Sequence, residues 1–92
     1  MELGSEKMKS LFMLDPEVTY LNHGSFGACP KLIFEELVNW QKKLEREPVK
    51  HLAFDLFTHL EESRYALSNY INCDKDDVVF FPNPTTALNT VL

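Results

Sequence analysis

The sequence is short of the residues that tie small proteins together. It holds two cysteines, Cys29 and Cys73, far apart and with no second Cys or His at ligand spacing from either. A disulfide framework or a cysteine-ligated metal centre is therefore not the organising device, and the pair is expected to be reduced, a single bridge being the alternative. The three histidines, His23, His51 and His59, are scattered, and the gap between the last two matches no zinc motif, so no metal site is indicated. Basic residues are scarce as well: 9 against 14 acidic ones, a net charge of −5, with no stripe of Lys or Arg. That balance disfavours nucleic acid and anionic membrane surfaces as partners. No apolar run approaches the roughly 20 residues of a transmembrane helix. Met1 to Ser10 is polar with mixed charge. It has neither the apolar centre of a signal peptide nor the Arg-rich, acid-poor bias of a transit peptide, which makes the cytoplasm the default expectation.

What is present belongs to an ordinary globular chain: 45% hydrophobic and 25% charged residues over 92 positions, enough for one small domain. A chain of this length buries roughly 60 to 65% of its unfolded surface, so it has little reserve if its apolar faces are meant for a larger body. Residues 1–14 read as an N-terminal arm whose apolar tip, Leu11 to Leu14, is free to dock on a neighbour, and Asp15-Pro16 opens a turn. Val18 to Leu21 is a brief extended run. The loop that follows, Asn22-His23-Gly24-Ser25-Phe26-Gly27-Ala28-Cys29-Pro30, contains two of the three glycines, which predicts left-handed or other Gly-only backbone there. It fits two readings equally, a plain connector or a loop lining a pocket beside the aromatic Phe26.

A helix is predicted from Pro30 to about Glu47, with Ile33, Leu37, Trp40 and Leu44 along one face as core and Glu35, Glu36, Lys42, Lys43 and Arg46 mostly on the other. A second helix runs from about Leu52 to Ile71, ended by Asn72. Asp74 to Asp77 form a solvated acidic turn, since they lack the alternating ligands, central Gly and closing Glu of a calcium loop. Val78-Val79-Phe80-Phe81 reads as a strand apolar on both faces. Pro82-Asn83-Pro84 marks a tight turn, and Thr85-Thr86 opens a further helix. Strand, turn and helix start make an anion site, because first-turn N–H groups and the positive end of the helix dipole hold a phosphate without basic side chains. Two helices followed by strand, turn and helix start predict an α/β fold whose sheet is incomplete, since one strand cannot make a sheet.

Tyr20-Leu21-Asn22-His23-Gly24-Ser25-Phe26-Gly27-Ala28-Cys29-Pro30, Leu44-Glu45-Arg46-Glu47-Pro48-Val49, Arg64-Tyr65-Ala66-Leu67 and Val78 to Asn89, in that order and spacing, resemble the N-terminal part of a class V aminotransferase-type protein. The branch is the one with isopenicillin N epimerase and the cysteine desulfhydrase-like and sulfoxide lyase-like enzymes, which depend on pyridoxal phosphate and have the fold-type-I transferase architecture. The resemblance runs from about Val18 to Leu92 and implies that residues 15–92 are part of such a domain. It implies that the segment Thr85, Thr86, Ala87 holds the cofactor phosphate through backbone amides and a threonine hydroxyl, Thr86 matching the hydroxyl donor. The family more often has Ala where this chain has Pro84, which has no N–H to give. Asn22, His23 and Gly24 match a segment on the substrate side of the cofactor.

The resemblance also implies what these residues do not supply. Pyridoxal phosphate chemistry needs a lysine to form a Schiff base and an acid beside the pyridine nitrogen, and in the family both lie downstream. Lys31, Lys42, Lys43, Lys50 and Lys75 fall on solvated faces or turns, so no catalytic residue is assigned. The expected function is that of a fragment of an amino-acid epimerase or carbon–sulfur lyase, inactive alone and homodimeric in its full form. The competing reading is a non-catalytic module whose amphipathic helices pack against a full-length subunit. A self-sufficient helical domain is disfavoured, because it leaves Val78 to Phe81 without sheet partners.

Overall fold

The computed structural model describes residues 4–92. The first three positions of the expected arm lie outside the described residues. The chain divides into two compact units, Met1–Pro48 and Val49–Leu92.

The first unit begins with a short helix, α1 (Ser5–Lys9), carrying an exposed Glu6–Lys9 ion pair at 3.5 Å. The chain then turns, and the Lys31 amide donates to Leu11 O at 2.8 Å while Phe12 and Pro30 form an isolated antiparallel bridge. The apolar tip of the arm is thereby tied to the start of α2 (Lys31–Arg46). Pro30 caps α2, its fixed φ being compatible with a helix start, and Glu47 ends it just before Pro48, whose ring disfavours helical backbone in the residue before it. Val18 to Leu21 forms no strand. The predicted core stripe of α2 is not buried: Ile33, Leu37 and Trp40 remain exposed, and Leu44 is half-covered. Helical periodicity set the stripe correctly, but no element among the described residues covers it. Lys43 instead lays its ammonium over the Trp40 ring at 4.3 Å.

The second unit is helical from its start. A π-helical segment, Lys50–Asp55, runs directly into α3 (Leu56–Ile71), so the second helix starts earlier than its predicted Leu52. Asn72 ends α3 with φ 59° and ψ 54°, the one left-handed non-glycine among the described residues. Its amide and that of Cys73 both donate to Ser68 O, a close of the Schellman type that Asn tolerates better than any β-branched residue. Asp74 then caps a 3₁₀ turn, Lys75–Asp77, accepting from the Asp76 amide at 2.8 Å. Lys75 ties this turn to α3 through Glu61 at 2.8 Å.

No strand is present among the described residues. Val78 has extended backbone, φ −111° and ψ 128°, and is the one buried hydrophobic residue described, but nothing pairs with it. The strand expected over Val78 to Phe81 is thus replaced by an unpaired segment without regular secondary structure. Local propensity favours the conformation, whereas a ladder requires a second chain segment to accept its hydrogen bonds. Val79 and Phe80 line a shallow groove with Phe57, Leu60, Glu61 and Arg64 of α3. The unit ends in α4 (Pro84–Val91).

Candidate functional site

The sequence of α4 dictates how its first turn is satisfied. Asn83 is extended at φ −163°, ψ 163°, and its side-chain Oδ1 accepts from the Thr86 amide at 2.8 Å. This is the N-cap geometry for which Asn is among the best residues. Pro84 occupies the first helical position, where its missing N–H leaves nothing unsatisfied. The Ala87 amide donates to Asn83 O at 3.3 Å. Of the first-turn positions, Pro84 has no donor, Thr86 and Ala87 have theirs engaged by Asn83, and Thr85 keeps its amide for an outside acceptor. Thr85 and Thr86 are exposed and Ala87 is half-buried, so both hydroxyls are accessible beside that amide. Farther along, Thr90 turns its own hydroxyl inward to Thr86 O at 2.8 Å, the back-bonding habit of threonine within a helix. The donor set at the helix start therefore suits an oxyanion. Full engagement of the first turn requires the Asn83 carboxamide to give up the Thr86 amide.

Asn22, His23 and Gly24 lie in the first unit, in a loop closed by its own polar groups. Phe26 N–H donates to Asn22 O at 3.0 Å, and the Tyr20 hydroxyl donates to Phe26 O. His23 Nδ1 accepts from the Ala28 amide at 3.3 Å, which assigns the ring proton to Nε2. The imidazole is flanked by Tyr20, edge-on at 4.8 Å between ring centres, and by Phe12 at 6.0 Å. His23 thus organises the loop, and Asn22, His23 and Gly24 are all exposed. No glycine among the described residues has positive φ, contrary to the Gly-only backbone predicted for this loop. The turn closes through hydrogen bonds at ordinary dihedrals, and what Gly27 supplies is room: a Cβ there would sit 3.3 Å from His23 O.

One cluster escaped the sequence reading. His51, Asp55 and His59 converge on one side of the helix in the second unit, their ligand atoms all within 4.8 Å of one another. Taken as a pair, the two histidines match no motif. The detectable pattern is the triplet, with Asp55 midway at steps of four.

Comparison with known proteins covers 82 to 94% of the chain. It is 38% identical over 76 residues to an L-cysteine desulfhydrase of Arabidopsis thaliana, covering 82% of this chain and 17% of the relative. It is 32% identical over 85 residues to an L-cysteine desulfhydrase-like protein of Epichloe uncinata, covering 92% of this chain and 19% of the relative. With the isopenicillin N epimerase of Streptomyces clavuligerus the identity is 31% over 86 residues, covering 94% and 22%. The chain spans about a fifth of the length of these curated relatives. No family model matches it, and no solved structure does. No helix among the described residues is long and apolar enough to cross a membrane.

Proposed function

We propose that the chain is the N-terminal part of a pyridoxal-phosphate-dependent enzyme acting on an amino acid, of the carbon–sulfur lyase or epimerase type, and inactive by itself. The observation that carries this reading is the similarity to cysteine desulfhydrases and isopenicillin N epimerase over 82 to 94% of the chain. Those relatives are named for removal of sulfide from L-cysteine and for epimerisation of isopenicillin N. On this proposal residues 15–92 are the start of a fold-type-I domain of the class V aminotransferase group, preceded by an arm over 1–14. Val78 to Phe81 then takes its sheet partners from residues outside this chain. Amino-acid substrates, a homodimeric full-length form and a cytoplasmic location belong to the same proposal.

The donor chemistry at the start of α4 fits a phosphate. The Thr85 amide and the hydroxyls of Thr85 and Thr86 would hold its oxygens, and the Thr86 and Ala87 amides would add to the positive helix end. Asn83 serves as a stand-in acceptor, its carboxamide oxygen occupying the place on the Thr86 amide that a phosphate oxygen takes. Pro84 stiffens the turn and gives no hydrogen bond. Asn22, His23 and Gly24 would border the substrate, with Tyr20 and Phe12 holding the His23 ring in place. When bound, pyridoxal phosphate supplies an electron sink for bonds breaking at the amino-acid α-carbon. The alternative of a non-catalytic module draws on the exposed apolar residues of α2, α3 and the chain's end.

The test uses the purified chain with pyridoxal phosphate and L-cysteine. The proposal expects saturable binding of the cofactor with no sulfide released above the rate of the free cofactor. Sulfide release by the chain well above that rate overturns the claim of inactivity, and absence of cofactor binding overturns the site.

A further inference from the structure

At the beginning of the second unit, two imidazoles and a carboxylate share one line of a helix for a reason visible in its backbone. In an α-helix a step of four residues overshoots a full turn by about 40°, so His51 and His59, two such steps apart, would diverge. The step from His51 to Asp55 lies in the π-helical segment Lys50–Asp55, which takes more residues per turn and falls short of a full turn over the same four residues. The undershoot there offsets the overshoot from Asp55 to His59 in α3. The two imidazole rings accordingly lie nearly parallel, 28° between planes and 6.4 Å between centres, and the ligand atoms of all three residues fall within 4.8 Å of one another.

We propose that His51, Asp55 and His59 bind a divalent transition-metal ion of the zinc class, clipping the π-helical segment to the first turns of α3. Two imidazole nitrogens and one carboxylate oxygen suit zinc, copper or nickel, whereas magnesium and calcium take oxygen ligands. Bonds of about 2.0 to 2.2 Å to a tetrahedral ion place ligand atoms about 3.3 to 3.6 Å apart. The three side chains must therefore close by about 1.5 Å at most, a movement available to half-buried groups by side-chain rotation. Glu62 Oε2 lies 3.5 Å from His59 Nδ1; with the ion on Nε2, that carboxylate would take the place of the usual outer-shell partner of a metal-bound histidine. Three protein ligands leave a fourth position for water or another exchangeable group. The inference stands apart from the cofactor reading and uses none of its residues.

The experiment is a titration of the 92-residue chain with Zn²⁺ alone by calorimetry, repeated with Co²⁺ for its visible absorption. A Cys29→Ser/Cys73→Ser background keeps the exposed thiols from contributing. One ion per chain is expected. Loss of an outer-shell partner alone costs about 10- to 100-fold in affinity, so His59→Ala and Asp55→Asn should each weaken binding at least about tenfold. His23→Ala, in the other unit, should leave it unchanged. Circular dichroism establishes that the variants keep their helix, and Asp55→Asn, nearly identical in shape, carries the test if His59→Ala does not. Absence of saturable binding, or equal affinity in Asp55→Asn and the parent, overturns the proposal.

Discussion

Replacing Asn83 by Ala removes the side-chain acceptor of the Thr86 amide and separates two roles that the residue combines. The helix it caps has eight residues, well under the 12 to 15 or so that a free-standing helix needs, and its first residue, Pro84, offers no N–H. An Asn-to-Ala change at an N-cap costs about 1 kcal/mol, which is about a fivefold change in an equilibrium constant. Amide hydrogen exchange read by NMR at Thr86 should therefore accelerate about fivefold, with smaller changes toward Val91. Asn83→Asp keeps the acceptor and adds a charge at the positive helix end, worth about 0.3 to 1 kcal/mol to the helix, so exchange at Thr86 should slow. The same two variants should act oppositely on anion binding. Asn83→Ala vacates the Thr86 amide for a phosphate, and Asn83→Asp repels one. Unchanged exchange at Thr86 in Asn83→Ala would refute the capping role, and stronger phosphate binding by Asn83→Asp would refute the competition.

The hydrogen bond and charge of Lys75 hold the Glu61 carboxyl below its usual value, and Glu61 holds Lys75 above its own. The pair's contribution is therefore complete at neutral pH. It fades as acid protonates Glu61 through its depressed value and, at the other extreme, as base deprotonates Lys75 through its raised one. An NMR titration should find the Glu61 midpoint moving up toward that of an ordinary glutamate in Lys75→Met and in high salt; an unmoved midpoint removes the pair as the cause. At Asn72, φ 59° is a backbone conformation that Gly adopts freely and Asn tolerates better than Ala, so Asn72→Ala should lower the melting temperature of the helical signal, at a cost of about 1 kcal/mol, while Asn72→Gly should not. Equal effects of Ala and Gly would show that side-chain contacts rather than dihedral strain govern that helix end.

Helix ends were legible in the sequence because they are decided locally. Pro30, Glu47 before Pro48 and Asn72 each act through their own dihedrals, whereas the last helix, expected to open at Thr85-Thr86, starts at Pro84 with Asn83 as its cap. The sheet was not legible in the same way. Val78 to Phe81 has the composition of a strand and Val78 has extended backbone, but pairing is non-local and needs a partner that the described residues do not provide. The α2 stripe failed for a related reason: periodicity shows which face is apolar, and only tertiary packing decides whether that face is covered. In the Asn22 to Gly27 loop, glycine content suggested unusual dihedrals where the actual constraint was the space beside His23 O. The His51, Asp55 and His59 cluster depends on a π-helical segment, for which the sequence has no simple signature.

The central claim, that the start of α4 is a phosphate site for pyridoxal phosphate, is tested most directly with deoxypyridoxine phosphate, which lacks the aldehyde and cannot react with lysines. Followed by NMR, its titration into the chain should shift the Thr85, Thr86 and Ala87 amides together with one dissociation constant. Thr86→Ala should weaken that binding about tenfold, the low end of about 1.5 to 3 kcal/mol for a hydrogen bond to a charged group, because the site is exposed. Shifts confined to other residues, or an affinity unchanged by Thr86→Ala, would contradict it.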